Sequence, residues 1–229
     1  MRTLIIGDIH GCSLTFRKMV EEEMKLQSND QLFLLGDYID RGPDSKGVVD
    51  YILELRKKGF NVRTLRGNHE QLLIESANNK MVQGMWLNNG GDTTLESFGI
   101  QSVTELDPEY QQFFLQTEFF VKSDDFILVH AGLNFKAEDP LLDKMSMMWL
   151  REYKDENNYM NGRILIHGHT PKKRVFIHSQ EFKSPFNLDG GCVYKDISSM
   201  GSLFGLSFHE RKLFEVPVVD AVKSRLDLH

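Results

Sequence analysis

Along the chain, short apolar runs end repeatedly in small clusters of polar residues. Thr3-Leu4-Ile5-Ile6, Gln31-Leu32-Phe33-Leu34-Leu35, Asn61 to Leu65, Phe126-Ile127-Leu128-Val129 and Arg163-Ile164-Leu165-Ile166 have the length and flanking turn formers of buried strands. Between the first three the period becomes helical. Leu14, Met19 and Val20 predict a helix from a Ser13 cap to about Glu23, and Val48, Val49, Ile52 and Leu55 predict a second from Asp44 or Ser45 to a cationic stop at Lys57-Lys58-Gly59. A further helix begins at about Glu70. Residues 71–116 then alternate helix and loop, with Trp86 to Asp92 as a turn, and read as a helical cap beside the sheet that contributes to substrate choice. Beyond it Glu118 to Lys122 reads as a strand, and Pro140 to Arg151 holds a short helix. Arg174 to Ile177, Phe186 to Leu188, Cys192 to Tyr194, Leu203 to Phe208 and Lys212 to Val216 read as mainly antiparallel strands, with a short helix over Val218 to His229. Helix-alternating strands followed by hairpins predict an α/β (α+β) chain, with a mixed sheet or two packed sheets flanked by helices.

Composition narrows this picture little. At 229 residues, 41% hydrophobic and 26% charged, the chain suits one domain over 1–229 with a substantial core. Its net charge of −6 argues against a nucleic-acid partner, which needs a basic stripe. Cys12 and Cys192 are too few for a disulfide framework, and no apolar stretch is long enough to span a bilayer, so a cytoplasmic setting without a membrane partner is expected.

The strand ends change the picture. Five apolar runs terminate in groups that bind hard or borderline cations: Asp8 and His10, Asp37, Asn68, His130, and His169 or His167. A single histidine after a strand is an ordinary satisfied polar residue; five such endings point to one shared site. Oxygen and imidazole donors without thiolate suit Mn²⁺, Fe²⁺ or Zn²⁺ in a reactive centre better than a structural zinc. They are too many for one ion, and two ions about 3.5–4 Å apart are a usual arrangement for phosphate hydrolysis.

Taken in order, Gly7-Asp8-Ile9-His10-Gly11, Gly36-Asp37-Tyr38-Ile39-Asp40-Arg41-Gly42, Arg66-Gly67-Asn68-His69-Glu70, His130-Ala131-Gly132 and His167-Gly168-His169-Thr170 resemble the phosphoprotein phosphatase branch of the calcineurin-like metallophosphoesterases. Size and Trp149-Leu150-Arg151 resemble its small bacterial and phage members most. The resemblance implies a two-sheet mixed β-sandwich with outer helices and two divalent ions, Mn²⁺ first, with Fe or Zn as alternatives. Asp8 and His10 would hold one ion, Asp37 would bridge, and Asn68, His130 and His169 would hold the other, leaving His167 in a supporting role. Arg41 and Arg151, with Asn68, would bind the substrate phosphate. A hydroxide between the ions would attack in line, while His69, oriented by Asp40, protonates the leaving group. Cys12 reads as a small buried residue rather than a nucleophile. The expected reaction is hydrolysis of phosphoserine or phosphothreonine in a protein or peptide. The alternatives are a symmetric dinucleoside tetraphosphate hydrolase and a catalytically silent metal-binding scaffold.

Overall fold

The computed structural model describes residues 1–222. The chain opens with β1 (Thr3–Ile6), then α1 (Ser13–Lys18), which continues as a π-helical turn over Met19–Glu23. β2 (Gln31–Leu34), α2 (Ser45–Lys57) and β3 (Asn61–Thr64) complete two strand–helix–strand units. Their strands pair in parallel, with Thr3 opposite Gln31 and Gln31 opposite Asn61, as helical crossovers require. Next come α3 (Asn68–Ser76), α4 (Lys80–Trp86), α5 (Asp92–Phe98), α6 (Pro108–Leu115) and β4 (Phe120–Lys122). β5 (Phe126–Val129), α7 (Lys144–Trp149), β6 (Ile164–His167), α8 (Arg174–Ser179), β7 (Phe186–Asn187), β8 (Ser202–Ser207) and β9 (Lys212–Pro217) follow.

The strands build two mixed sheets, ordered β3-β2-β1-β8-β9 and β4-β5-β6-β7. Because side chains alternate along a strand, each sheet feeds two cores. Ile5, Phe33 and Leu35 of the first sheet meet Phe126, Leu128 and Ile166 of the second in the core between them. Their neighbours Leu4, Ile6, Leu32 and Leu34 turn the other way, onto Phe16, Val48, Ile52 and Leu72 of the helices. On the second sheet's outer side Ile127, Val129 and Leu165 pack with Leu133 and Met147. Near-continuous apolar runs are what strands covered on both faces require. Among the described residues, no helix is long and apolar enough to cross a membrane.

Several expectations need correction. Arg174–Ser179 is helical, not extended. Residues 192–194 form a turn, closed by Tyr194 N–H donating to the Gly191 carbonyl at 2.8 Å. β7 pairs with β6 in parallel, so only β8 and β9 form the expected hairpin. Ser13 is not a helix cap; its hydroxyl donates to Asp44 Oδ2 at 2.6 Å, while Asp44 caps α2 by accepting Gly47 N–H at 2.9 Å. The helix expected over Val218 to His229 is absent from 218–222, and its remainder lies outside the described residues.

Candidate active site

The residues that close the apolar runs converge at one end of the two sheets. Their loops are tightly folded: His10, Asp37, Asp40, Arg41 and His169 have φ of 47°, 51°, 71°, 69° and 64°. Left-handed backbone is costly for side-chain-bearing residues and gathers where the surrounding structure holds a functional geometry in place. Close approach does the rest. A Cβ on Gly42 would lie 1.9 Å from the His10 carbonyl oxygen, so only glycine lets the β1 and β2 loops touch.

At the centre is Asp37, buried with 2% exposure. The Nδ1 atoms of His10 and His130 face the backbone carbonyls of Ile39 and Leu35, each at 2.9 Å. A carbonyl only accepts, so each Nδ1 carries the proton and each Nε2 presents a lone pair. Those Nε2 atoms lie on opposite sides of one carboxylate, His10 at 3.5 Å from Asp37 Oδ2 and His130 at 3.4 Å from Asp37 Oδ1. Asn68 Oδ1 is 3.0 Å from His130 Nε2 and 2.9 Å from His169 Nδ1. His130 Nε2 and Asn68 Oδ1 thus present lone pairs to each other with no proton between them, and His169 Nε2 is buried with no hydrogen-bond partner. Such a donor set fits cations. Nitrogen and oxygen atoms of His10, Asp37 and His69 lie within 4.8 Å of one another, as do those of Asp37, His130 and His169.

Ionisation agrees with that fit. Burial lowers the pKa of His10 and His130 and takes His169 down to about 3, so each of these imidazoles gives up its proton readily, as a cation site requires. Burial acts against the Asp37 charge, but His130, His69, His10 and His169 outweigh it and hold this carboxyl below the usual range. Asp8 is pushed well up by burial and by the neighbouring Asp189 and Asp37. Its oxygens accept His169 N–H at 3.2 and 3.0 Å, which ties the end of β1 to the end of β6. Crowded, desolvated carboxyl groups are what a divalent ion relieves.

Next to the cluster stands a second assembly. His69 Nδ1 donates to Asp40 Oδ2 at 2.6 Å, and its Nε2 is 3.9 Å from Asp37 Oδ2. Arg41 Nη1 donates to His10 Nε2 at 2.8 Å, and Arg151 Nη1 to the His169 carbonyl at 3.4 Å. Both arginines line one cavity of about 280 Å³ with Asp37, Asn68, His69 and His169; Pro171, Tyr194, Ile197 and Met200 form its other wall. His167 accompanies the site without entering this lining, its Nδ1 donating to the Gly168 carbonyl at 3.0 Å. Cys12 is buried with Cys192 in the helix-side core and is not among the residues that line the cavity.

Sequence reasoning missed several supports. Glu70, fully buried, accepts N–H bonds from Asp37 and Tyr38 at 2.8 Å each and from Gly67 at 2.9 Å, so it pins the loop that carries Asp37. Burial, with Asp37 nearby, pushes its carboxyl up to about 8 while the amides pull the other way. Its signal was position, directly after His69. Asp189, raised to about 7 by burial, stands just past β7; Phe186 to Leu188 reads from sequence as one of a run of antiparallel strands, and its parallel pairing with β6 is what brings Asp189 to the site. Glu70→Gln would set an amide N–H against a backbone N–H. It is expected to cost about 1–3 kcal/mol, the usual penalty for a buried unsatisfied donor, read as a lower urea midpoint.

Comparison with known proteins agrees with this geometry. Residues 1–204 match the family model for calcineurin-like phosphoesterases. The chain is 28% identical over 196 residues to serine/threonine-protein phosphatase 1 of Salmonella typhimurium, covering 83% of this chain and 86% of the relative. It is 24% identical over 246 residues to an asymmetrical bis(5'-nucleosyl)-tetraphosphatase, PrpE, of Anoxybacillus flavithermus, covering 93% of each. In fold it is similar to a protein serine/threonine phosphatase from Saccharomyces cerevisiae related to human PP5, with a TM-score of 0.71, 15% identity, and coverage of 96% of this chain and 81% of that one. The serine/threonine phosphatase relative supports the resemblance to the phosphoprotein phosphatase branch, and the Saccharomyces structure shows the shared fold. With lone pairs of four loops gathered on Asp37 and a family match over most of its length, the chain belongs to the calcineurin-like phosphoesterases and is a metal-dependent phosphoester hydrolase.

Proposed function

We propose that this hydrolase is a phosphomonoesterase of the serine/threonine protein phosphatase type. The observation that carries it is the placing of His10 and His130 Nε2 beside opposite oxygens of Asp37, at 3.5 and 3.4 Å, with Arg41 and Arg151 lining the same cavity. Asp8, His10 and Asp37 would hold one divalent ion, and Asp37, Asn68, His130 and His169 the other, with Mn²⁺ the first choice for this oxygen and imidazole set. When bound, such a pair supplies an activated water and positive charge at the phosphoryl group. The chain does the rest. Arg41 and Arg151 line the cavity with forked donors suited to two phosphoryl oxygens, and Asn68 shares that wall. His69, held by Asp40 through Nδ1, has Nε2 left to give its proton to the ester oxygen as the P–O bond breaks. We read residues 1–229 as one domain, with 71–116 as a helical cap beside the sheet.

A cavity of about 280 Å³ with an apolar wall of Tyr194, Ile197 and Met200 suits a phosphorylated side chain and its flanking peptide. Hydrolysis of a dinucleoside tetraphosphate is the second reading, favoured by full-length similarity to PrpE. It needs room for two bases, and Tyr194 is the one tyrosine, phenylalanine or tryptophan among the cavity's lining residues. Turnover of a phosphoserine peptide and of diadenosine tetraphosphate, each with added Mn²⁺, separates the two. The peptide is expected to have the higher kcat/KM. Preference for the dinucleotide would overturn this reading, and ADP as sole product would then identify symmetric cleavage.

A further inference from the structure

The assembly around Asp40 reaches beyond the loops that carry the site. Asp40 is fully buried, and so is Trp86 at the end of α4, whose indole Nε1–H donates to Asp40 Oδ2 at 2.9 Å. Thr94, on α5 and 1% exposed, donates its hydroxyl to Asp40 Oδ1 at 2.6 Å. The backbone is held as well, since Asp40 N–H faces Thr94 Oγ1 at 2.9 Å and Ser45 Oγ at 3.0 Å. Both carboxylate oxygens are thereby fixed, and Oδ2 is the atom that accepts the His69 Nδ1 proton.

The turn between Trp86 and Thr94 also grips the next residue. Arg41 N–H donates to the Gly90 carbonyl at 3.1 Å. Gly90 has φ of 98°, and a Cβ there would lie 2.8 Å from Arg41 N. Asp40 and Arg41 themselves have left-handed backbone, which an unsupported loop would relax. The helical segment therefore has a definite task at the site: it stabilises the conformation of a strained pair of residues from another part of the chain.

We propose that Trp86 and Thr94 are positioning residues for leaving-group protonation: they fix the Asp40 carboxylate, which fixes the His69 ring. The proposal rests on His69 being the proton donor, and it goes further by giving the 71–116 segment a part in the choice of leaving group. An ester with a poor leaving group depends on that proton, whereas p-nitrophenolate departs without much help. Loss of the indole N–H or the threonine hydroxyl should thus act on one substrate more than the other. A residue that only stabilised the fold would lower both together.

The test compares kcat for phenyl phosphate and p-nitrophenyl phosphate, with Mn²⁺ added, in Trp86→Phe, Thr94→Val, Thr94→Ser and His69→Asn. Trp86→Phe keeps an apolar ring without the donor, and Thr94→Val keeps the shape without the hydroxyl. Each is expected to lower the phenyl to p-nitrophenyl ratio by about 10-fold, the low end of what supporting hydrogen bonds contribute around reactive centres. Thr94→Ser should restore the ratio to within about twofold of the parent, because its hydroxyl can still donate. A second readout is the His69 Nδ1 proton, expected far downfield in the ¹H spectrum of the metal-free protein and shifted upfield in Trp86→Phe and Thr94→Val. Should Trp86→Phe fail to fold, the two Thr94 variants decide. Unchanged ratios in the Trp86 and Thr94 variants beside a lowered ratio in His69→Asn would overturn the proposal alone. An unchanged ratio in His69→Asn would overturn the acid role and this inference with it. Equal losses in Thr94→Ser and Thr94→Val would also overturn it, since the hydroxyl would not be what matters.

Discussion

Asp37→Asn is expected to lose bound Mn²⁺ and phosphatase turnover together. The substitution keeps an oxygen that can accept His69 N–H, now at 3.2 Å from Oδ1, so the loop retains that contact. It removes the charge on which His10 and His130 converge from two sides. Replacing groups that merely support metal ligands costs about 10–100-fold in affinity, and loss of a shared carboxylate should exceed that for both ions. Metal analysis of the purified variant beside its kcat is the measurement. Two ions per chain at full occupancy would contradict the bridging assignment, whatever the activity.

His69→Asn should separate what Asp37→Asn joins. His69 lies within 4.8 Å of donor atoms of His10 and Asp37, so the geometry alone would allow it to be a ligand. Its Nδ1 is committed to Asp40 at 2.6 Å, and its Nε2 stands 3.9 Å from Asp37, which suits a group that serves the substrate. Metal content is therefore expected to stay near that of the parent, while turnover of phenyl phosphate falls by roughly 10²–10⁴, the usual range for loss of a general acid. A variant stripped of metal would reassign His69 as a ligand, and a variant with unaltered turnover would remove it from the reaction.

The strand ends were legible in the sequence because a strand covered on both faces must be apolar throughout, so the first polar residue marks where it leaves the core. That rule marked Asp8, Asp37, Asn68, His130 and the pair His167 and His169, the resemblance choosing His169, and the fold brings Asp8, Asp37, Asn68, His130 and His169 together as a connected group. It failed where the run was short. Arg174 to Ile177 has the apolar content of a strand, yet Val175 is 72% exposed and Ile177 1%, the one-sided burial of a helix turn. Four residues cannot distinguish the two periods. Cys192 and Val193 are apolar because they sit in the helix-side core, not because they are extended. Trp86 and Thr94 were illegible for another reason. Their partner Asp40 lies 46 and 54 residues away, and local pattern carries no sign of a contact at that separation.

The alternation in β1 has a consequence for length variation. Leu4 and Ile6 fill one core and Ile5 the other, and Asp8 and His10 follow at the same strand end. An insertion or deletion of a single codon within 3–6 would swap those contents and rotate everything downstream by half a pleat. The carboxylate and imidazole that should meet Asp37 would then face away from it. Among homologous chains, gaps should therefore cluster in the surface connections and spare this strand, even where its individual apolar residues vary freely.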